Sequence, residues 1–254
     1  MSEIVVEKAG KVVSVALDRP PVNALTMALY QRIAEVFEEI GASPEVNCVV
    51  LSARGSKAFC AGLDLREFLA AKVEDDPTRA VIVRRMFQSV RHCAIPVVAA
   101  VNGPALGAGC VLASVCDIRI ASENATFGLP EINAGRCGGT AHMARHVPQG
   151  LLRRLFFTGV PISAQEAYRV GFVDQVVPLD RLMPAANELA GVIADKAPLG
   201  LRLGKEALNR VEFMPVEDGY ALEQDYSTKL MHTEDAREAA RAVLEKRAPV
   251  FKGR

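Results

Sequence analysis

The sequence predicts an α/β core followed by an all-helical tail, and three features carry that reading. Short β-branched runs, CVVLSA at Cys48–Ala53 and PVVAAV at Pro96–Val101, alternate with stretches of helical periodicity. Glycine-containing loops follow both runs and open toward helices. Beyond about Asp180 the strand signals vanish, leaving only helical patterns.

In chain order, Ile4 to Val6 and Val12 to Leu17 read as a hairpin turned at Ala9-Gly10. After Pro20-Pro21, Thr26 is an N-cap for a helix whose apolar positions Leu29, Ile33, Val36, Phe37 and Ile40 recur at helical spacing, with Gly41 as its end. Cys48–Ala53 suits a buried strand and is followed by the loop RGSKAFCAGLDL. A long helix from about Pro77 to His92 leads to the second buried strand, which Gly103-Pro104 breaks. ALGAGCVLASVCD switches to a small-residue helical pattern and DIRIA returns to strand. Helical segments then run over Leu182 to Lys196, Pro198 to Val211, Pro215 to Met231 and Asp235 to Lys246. A boundary at APLG divides the chain into a core over 1–195 and a helical unit over 196–254.

Composition narrows the function classes. The 254 residues are half hydrophobic, with 30 basic side chains balancing 30 acidic ones, as in ordinary globular proteins. A net charge of zero supplies no general field for nucleic acid or an anionic membrane, so an anionic ligand would be met by a local cluster. Acidic residues stand where a secretion signal would carry basic ones, and no apolar run reaches membrane-spanning length, which predicts a cytoplasmic protein without a membrane partner. The six cysteines form no CxxC pair and are expected as buried free thiols. His142 and His146 stand four apart without a third ligand, so no metal is expected and the histidines read as helix-surface residues.

Two loops, AFCAGLDL and NGPALGAG, each follow a buried strand and open into a helix, the strand end where α/β sheets bind ligands. Amides there lack internal partners, and those of Leu63 and Ala108 are placed to aim at one oxygen. A dinucleotide fingerprint is excluded, because the GxGxxG order is absent and Asp117 comes too early for a ribose contact. Glu131 follows a proline turn in the apolar, glycine-rich stretch FGLPEINAGRCGGT, where desolvation would raise its pKa toward that of a proton shuttle.

The segments PVNAL, KAFCAGLDL, PVVAAVNGPALGAGC, CDIRIAS, ATFGLPEI, FTGVPISAQEAYRVGFVDQVV and TEDAREAARAVLEKRAPVFKGR resemble, in order and spacing, the crotonase (enoyl-CoA hydratase/isomerase) family. The resemblance implies a spiral of ββα repeats, a C-terminal helical domain that builds trimers or dimers of trimers, and an acyl-CoA ligand with no cofactor beyond its coenzyme A moiety. It implies Leu63 and Ala108 as oxyanion-hole amides and Glu131 as the proton-transferring residue. It also places Lys57, Arg66 and Lys252 as cationic partners of the nucleotide phosphates, with the backbone at Ala24, Ala61, Gly62 and Asp64 cradling adenine and pantetheine.

The sequence departs from the family's hydratase pattern at two points. Hydratases of the family carry two glutamates, and here the first position is Val111, leaving only Glu131. The loop NAGRCGGT is also about three residues shorter than the family's, a gap that removes water-holding backbone. Both changes favour Δ3,Δ2-enoyl-CoA isomerisation, proton shuttling without water, over hydration; a hydratase, another acyl-CoA lyase or hydrolase, and a silent acyl-CoA binder are the alternatives. Arg136 and Cys137 in the shortened loop read as a surface or interface charge and a packing residue.

Overall fold

The computed structural model describes residues 3–254; Met1 and Ser2, included in the N-terminal and 1–195 readings, lie outside the described residues. Strands β1 (Ile4–Ala9) and β2 (Val12–Leu17) form the expected hairpin, with Gly10 at φ +60° in the turn. In β2 the buried residues Val13, Val15 and Leu17 alternate with half-exposed ones, as a strand with one covered face requires. Helix α1 (Met27–Ala42) starts at Thr26, whose hydroxyl accepts the Leu29 amide, and runs one residue past Gly41.

The next strands, β3 (Cys48–Ala53), β4 (Val97–Val101), β6 (Ile118–Ser122) and β9 (Gln175–Val177), add to β2 in parallel, giving the order β1-β2-β3-β4-β6-β9. β3 and β4 are buried on both faces because two cores flank them. Val49, Leu51, Val97 and Ala99 point into the main core, while Cys48, Val50, Val98 and Ala100 meet helix α8 (Leu182–Ala194). That helix presents Leu182, Ala186, Ala190 and Ala194, a stripe of period four whose small side chains allow close approach to the sheet.

A second, smaller sheet holds β5 (Ala105–Leu106), β7 (Thr126–Gly128) and β8 (Ile162–Ser163). Single bridges Cys60–Ala105 and Leu25–Leu63 extend its line across the earlier repeats. After each of β2, β3, β4 and β6 the chain therefore makes a short extended segment in the second layer and then turns into a helix, the spiral of ββα units. The helices are α1, then α2 (Leu65–Ala70) with α3 (Asp76–Arg91), then α4 (Ala108–Val115), then α5 (Thr140–Met143) with α6 (Gln149–Thr158). Helix α2 is the helix into which AFCAGLDL was expected to open; Asp64 caps it by accepting the Arg66 and Glu67 amides at its N-terminus. Helix α7 (Ala164–Arg169) links β8 to β9.

Helices α9 (Pro198–Val211), α10 (Val216–Met231) and α11 (Glu234–Glu245) follow as expected. Polar anchors tie them to the rest. Lys205 reaches Asp117 at 2.7 Å and the Ile95 carbonyl at 3.0 Å, and Glu212 bridges Arg91 and Arg145 at 2.5 Å each. The terminal residues fold back on α11, where the buried Asp235 accepts the Lys252 and Gly253 amides.

Two minor expectations are corrected. Cys137 is exposed, since its shortened loop skirts the surface, while the other five thiols are buried as expected. His146 is not a surface residue: it packs on Phe172 and its Nε2–H donates to the Ser114 carbonyl at 2.9 Å. His142 is likewise half-buried, its ring against Phe87.

Candidate active site

The second-layer bridges bring the two glycine loops together. The Cys60 amide donates to the Pro104 carbonyl and the Leu106 amide to the Cys60 carbonyl, at 3.2 and 3.0 Å. The approach is close enough to demand glycine. A Cβ added at Gly109 would lie 2.1 Å from the Cys60 carbonyl oxygen, and one at Gly62 would lie 2.8 Å from the Leu106 oxygen and 3.4 Å from the Ala108 nitrogen. Gly62 also stands at φ +95°, a left-handed conformation that L side chains rarely adopt.

On this scaffold Leu63 and Ala108 fall on adjoining turns. Leu63 is paired with Leu25 through its neighbours: Leu25 N–H donates to the Gly62 carbonyl and Asp64 N–H to the Leu25 carbonyl. Ala108 is the first residue of α4. Neither amide has a backbone or side-chain acceptor among the described residues, so two unsatisfied donors stand near one another, one of them at a helix N-terminus.

Glu131 lies in a 3-10 turn, Pro130–Ala134, whose proline fixes the entry. Its carboxylate packs against Gly107, the residue that opens α4: a Cβ there would sit 3.0 Å from Oε1. Oε2 is buried without a hydrogen-bond partner. Burial pushes the Glu131 pKa up, with its own backbone amide opposing the shift, so the carboxylate is a stronger base than a solvated one. One turn along α4 from Gly107, Val111 is buried, and its Cγ2 closes on Gly139, where a Cβ would be only 2.6 Å away. Val111 thus faces the segment that follows Glu131, and the site holds one carboxylate there.

The remaining predicted residues divide into two groups. Ala24, Ala61, Gly62 and Asp64 gather along one edge. Ala24 accepts from Arg19 at 3.0 Å, Ala61 N–H donates to Val22 at 3.0 Å, and Asp64 pairs with Arg19 at 2.8 Å. Asn23, at φ +53° and buried, organises this edge by donating to the Arg54 and Ala58 carbonyls; its role was not legible in PVNAL. Hydrogen bonds from the Glu67 and Arg66 amides and from Arg19 hold the Asp64 carboxyl below the usual range, consistent with a structural cap. Lys57 and Arg66 are exposed and form no ion pair among the described residues, leaving two cations beside that edge. Lys252 stands apart, with Glu234 at 3.6 Å and its amide on Asp235, and no hydrogen bond or ion pair joins it to these loops.

Arg136 is partly exposed but held in place. Its guanidinium stacks on Phe68 of α2 at 4.5 Å and approaches Asp76 of α3 at 3.5 Å, so it pins the loop after Glu131 to those helices. Sequence reading also passed over Tyr30, buried edge-on to Phe87, and over Glu67 and Arg79: Glu67 Oε2 accepts the Met27 amide at 2.9 Å, and Arg79 Nη1 lies 3.9 Å from its other oxygen. Among the described residues no group of His, Cys, Asp or Glu is placed to hold a metal, and no helix is long and apolar enough to cross a membrane.

A spiral of ββα units with paired glycine loops and a desolvated glutamate defines a class of acyl-thioester enzymes, and comparison with known proteins agrees. The family model described as enoyl-CoA hydratase/isomerase matches residues 7–254, and the chain belongs to that family, the crotonases. It is 38% identical over 251 residues to a short-chain-enoyl-CoA hydratase of Clostridium acetobutylicum, covering 97% of this chain and 96% of the relative. It is also 38% identical over 262 residues to 2,3-dehydroadipyl-CoA hydratase of Escherichia coli, covering 100% of both. The crystal structure of an enoyl-CoA hydratase from Bacillus anthracis superposes with a TM-score of 0.96 at 35% identity over 100% of both chains.

Proposed function

We propose that this enzyme isomerises 3-enoyl-CoA thioesters to 2-enoyl-CoA thioesters. The thioester carbonyl oxygen accepts from the Leu63 and Ala108 amides, and Glu131 removes a proton from the α-carbon. The electron pair moves into the thioester enolate, whose negative charge the two donors stabilise. The γ-carbon then takes the proton back from Glu131 as the double bond shifts into conjugation, so no atom is gained or lost. The observation that carries this reading is the single carboxylate: Glu131 is half-buried with its Oε2 enclosed and unpartnered, and the buried Val111 stands at the position where a second carboxylate would hold water.

Lys57 and Arg66 beside the Ala24 and Ala61–Asp64 edge are suited to the coenzyme A phosphates. Lys252, tied to α11, would reach a phosphate from a neighbouring copy in a trimer or a dimer of trimers. A cytoplasmic location suits a protein that draws on the acyl-CoA pool.

Hydration is the second reading, favoured by the relatives' names, since both curated relatives described above are hydratases. Incubation with 3-enoyl-CoA and, separately, with 2-enoyl-CoA tests the two. Conjugation of the first with little water addition to the second supports isomerisation; rapid hydration of the second without conjugation of the first overturns it. Val111→Glu should raise hydration if the missing carboxylate is what limits water addition, and an unchanged hydration rate in a folded variant counts against that account.

A further inference from the structure

Two segments that flank the site bury no side chain fully. Helix α2, which begins two residues after Leu63, has none, and its Leu65 and Leu69 are exposed. The 3-10 turn that carries Glu131 has none either, and Ile132, Asn133, Ala134 and Gly135 are exposed on it. Apolar burial therefore fixes neither segment, and a few specific contacts hold them. At the start of α2, Asp64 pairs with Arg19 at 2.8 Å and Glu67 Oε2 accepts the Met27 amide at 2.9 Å. On the outer side of the turn Asn133 lies against the end of α6, where a Cβ at Gly159 would meet its Nδ2 at 2.6 Å.

Arg136 joins the two segments to one another. Its amide donates to the Glu131 carbonyl at 3.0 Å, closing the turn just after Gly135, which stands at φ +66°. Its guanidinium reaches across to α2, 4.5 Å from the Phe68 ring centroid, and lies 3.5 Å from Asp76 Oδ1 of α3. The Phe68 amide donates to the Asp64 carbonyl at 3.0 Å, so one helical turn leads from the stacked ring back to the residue next to Leu63. A single side chain thus connects the backbone of Glu131 to the helix that starts beside the Leu63 amide. A planar guanidinium can lie over a ring while its edge faces a carboxylate, which an ammonium cannot do. At 37% exposure these contacts add little to global stability, so their consequence is one of position.

We propose that Arg136 is a positioning residue: by clasping Phe68 and Asp76 it fixes Glu131 relative to the Leu63 donor, so that the base meets the α-carbon of a thioester held by that donor. This rests on the reading of Glu131 as the base and Leu63 as a donor, and deepens it. Arg136 itself touches no reacting atom. Moving a reacting group by about 1 Å can cost on the order of 10² in rate. Binding depends instead on the Ala24 and Ala61–Asp64 edge, which Arg19 and Asn23 hold without help from Arg136.

The test measures two quantities on one saturated ligand, butyryl-CoA: its Kd, and the rate at which its α-protons exchange with deuterated solvent. Neither needs turnover, so the result stands whether isomerisation or hydration proves to be the reaction. Arg136→Ala should slow exchange at least about tenfold while changing Kd by less than about threefold. Phe68→Leu, which keeps apolar bulk but removes the face of the ring, approaches the same clasp from its other side and should also slow exchange. The double variant should be no slower than the slower single one, because either substitution already opens the clasp. Exchange in Arg136→Ala within about twofold of wild type, single effects that multiply in the double variant, or a loss of affinity that matches the loss of exchange overturns the inference and leaves the Glu131 reading in place. Wild-type protein that fails to bind butyryl-CoA, or binds it without exchanging its α-protons, overturns that reading and the inference together.

Discussion

Replacing Glu131 with Gln separates the chemistry of this site from its binding. The amide keeps the size of the carboxylate, so its contact with Gly107 and the approach of the two glycine loops persist. The Leu63 and Ala108 donors belong to the backbone and are untouched. What is lost is the basic oxygen, so exchange of the α-proton with solvent and 3-enoyl-CoA isomerisation should both fall by about 10² to 10⁴, the usual share of a general base. Acyl-CoA affinity should change little. Stability carries a second signature, because burial raises the Glu131 pKa in the folded state. The folded protein then binds a proton more readily than the unfolded chain, so the carboxylate's contribution is most favourable at low pH and is lost as pH rises through the raised pKa. The neutral amide of the Glu131→Gln variant escapes that penalty, and the variant should gain stability relative to wild type as pH rises from about 5 to about 8. The assays are deuterium exchange into a bound acyl-CoA, followed by mass spectrometry, and urea unfolding at the two pH values. Near-wild-type exchange in Glu131→Gln would refute the reasoning, and would mean that another group carries the proton.

Other expectations follow from the packing. Gly109→Ala should destabilise the protein by about 2 to 3 kcal/mol or more in urea unfolding and depress acyl-CoA binding, because its methyl group would meet the Cys60 carbonyl at 2.1 Å; a neutral substitution would show that the loops do not need their close approach. His146 has its pKa pushed down to about 4, by burial first and by Arg119 next, with its bond to Ser114 opposing. The unfolded chain therefore binds the extra proton as pH falls from about 6.5 to about 4, and stability should drop across that window by no more than about 1.4 kcal/mol per pH unit. His146→Gln should flatten that slope, and an identical slope would exclude His146 as its source. The exposed Leu208, Val216, Tyr220 and Leu244 of the C-terminal helices, with Phe213 in the turn between α9 and α10, are expected to be covered by neighbouring copies in a trimer or hexamer. Sedimentation as a stable monomer at micromolar concentration would contradict that.

Much of the fold is legible in local sequence because the signals are short-range. The β-branched runs of β3 and β4 read as buried strands from composition alone, and Thr26 announces α1 through a hydrogen bond that spans three residues. The two glycine loops, the lone Glu131 and the substitution at Val111 are equally visible, since each is a residue type at a fixed place in a motif. For helix α2 only the start was legible, where AFCAGLDL opens into it; its extent was not, because its apolar residues Leu65 and Leu69 are exposed and give no buried stripe.

Tertiary structure decided everything that depends on distance between segments. The bridge from Cys60 to Ala105 brings the Leu63 and Ala108 amides onto adjoining turns, although the residues are far apart in sequence. Packing of α1 on α3 buries Tyr30 edge-on to Phe87, and stacking on Phe68 ties the partly exposed Arg136 to α2. Desolvation has the same origin. Whether a glutamate is a solvated loop charge or a buried base depends on what closes around it, and for Glu131 that is Gly107, contributed by a different turn of the spiral.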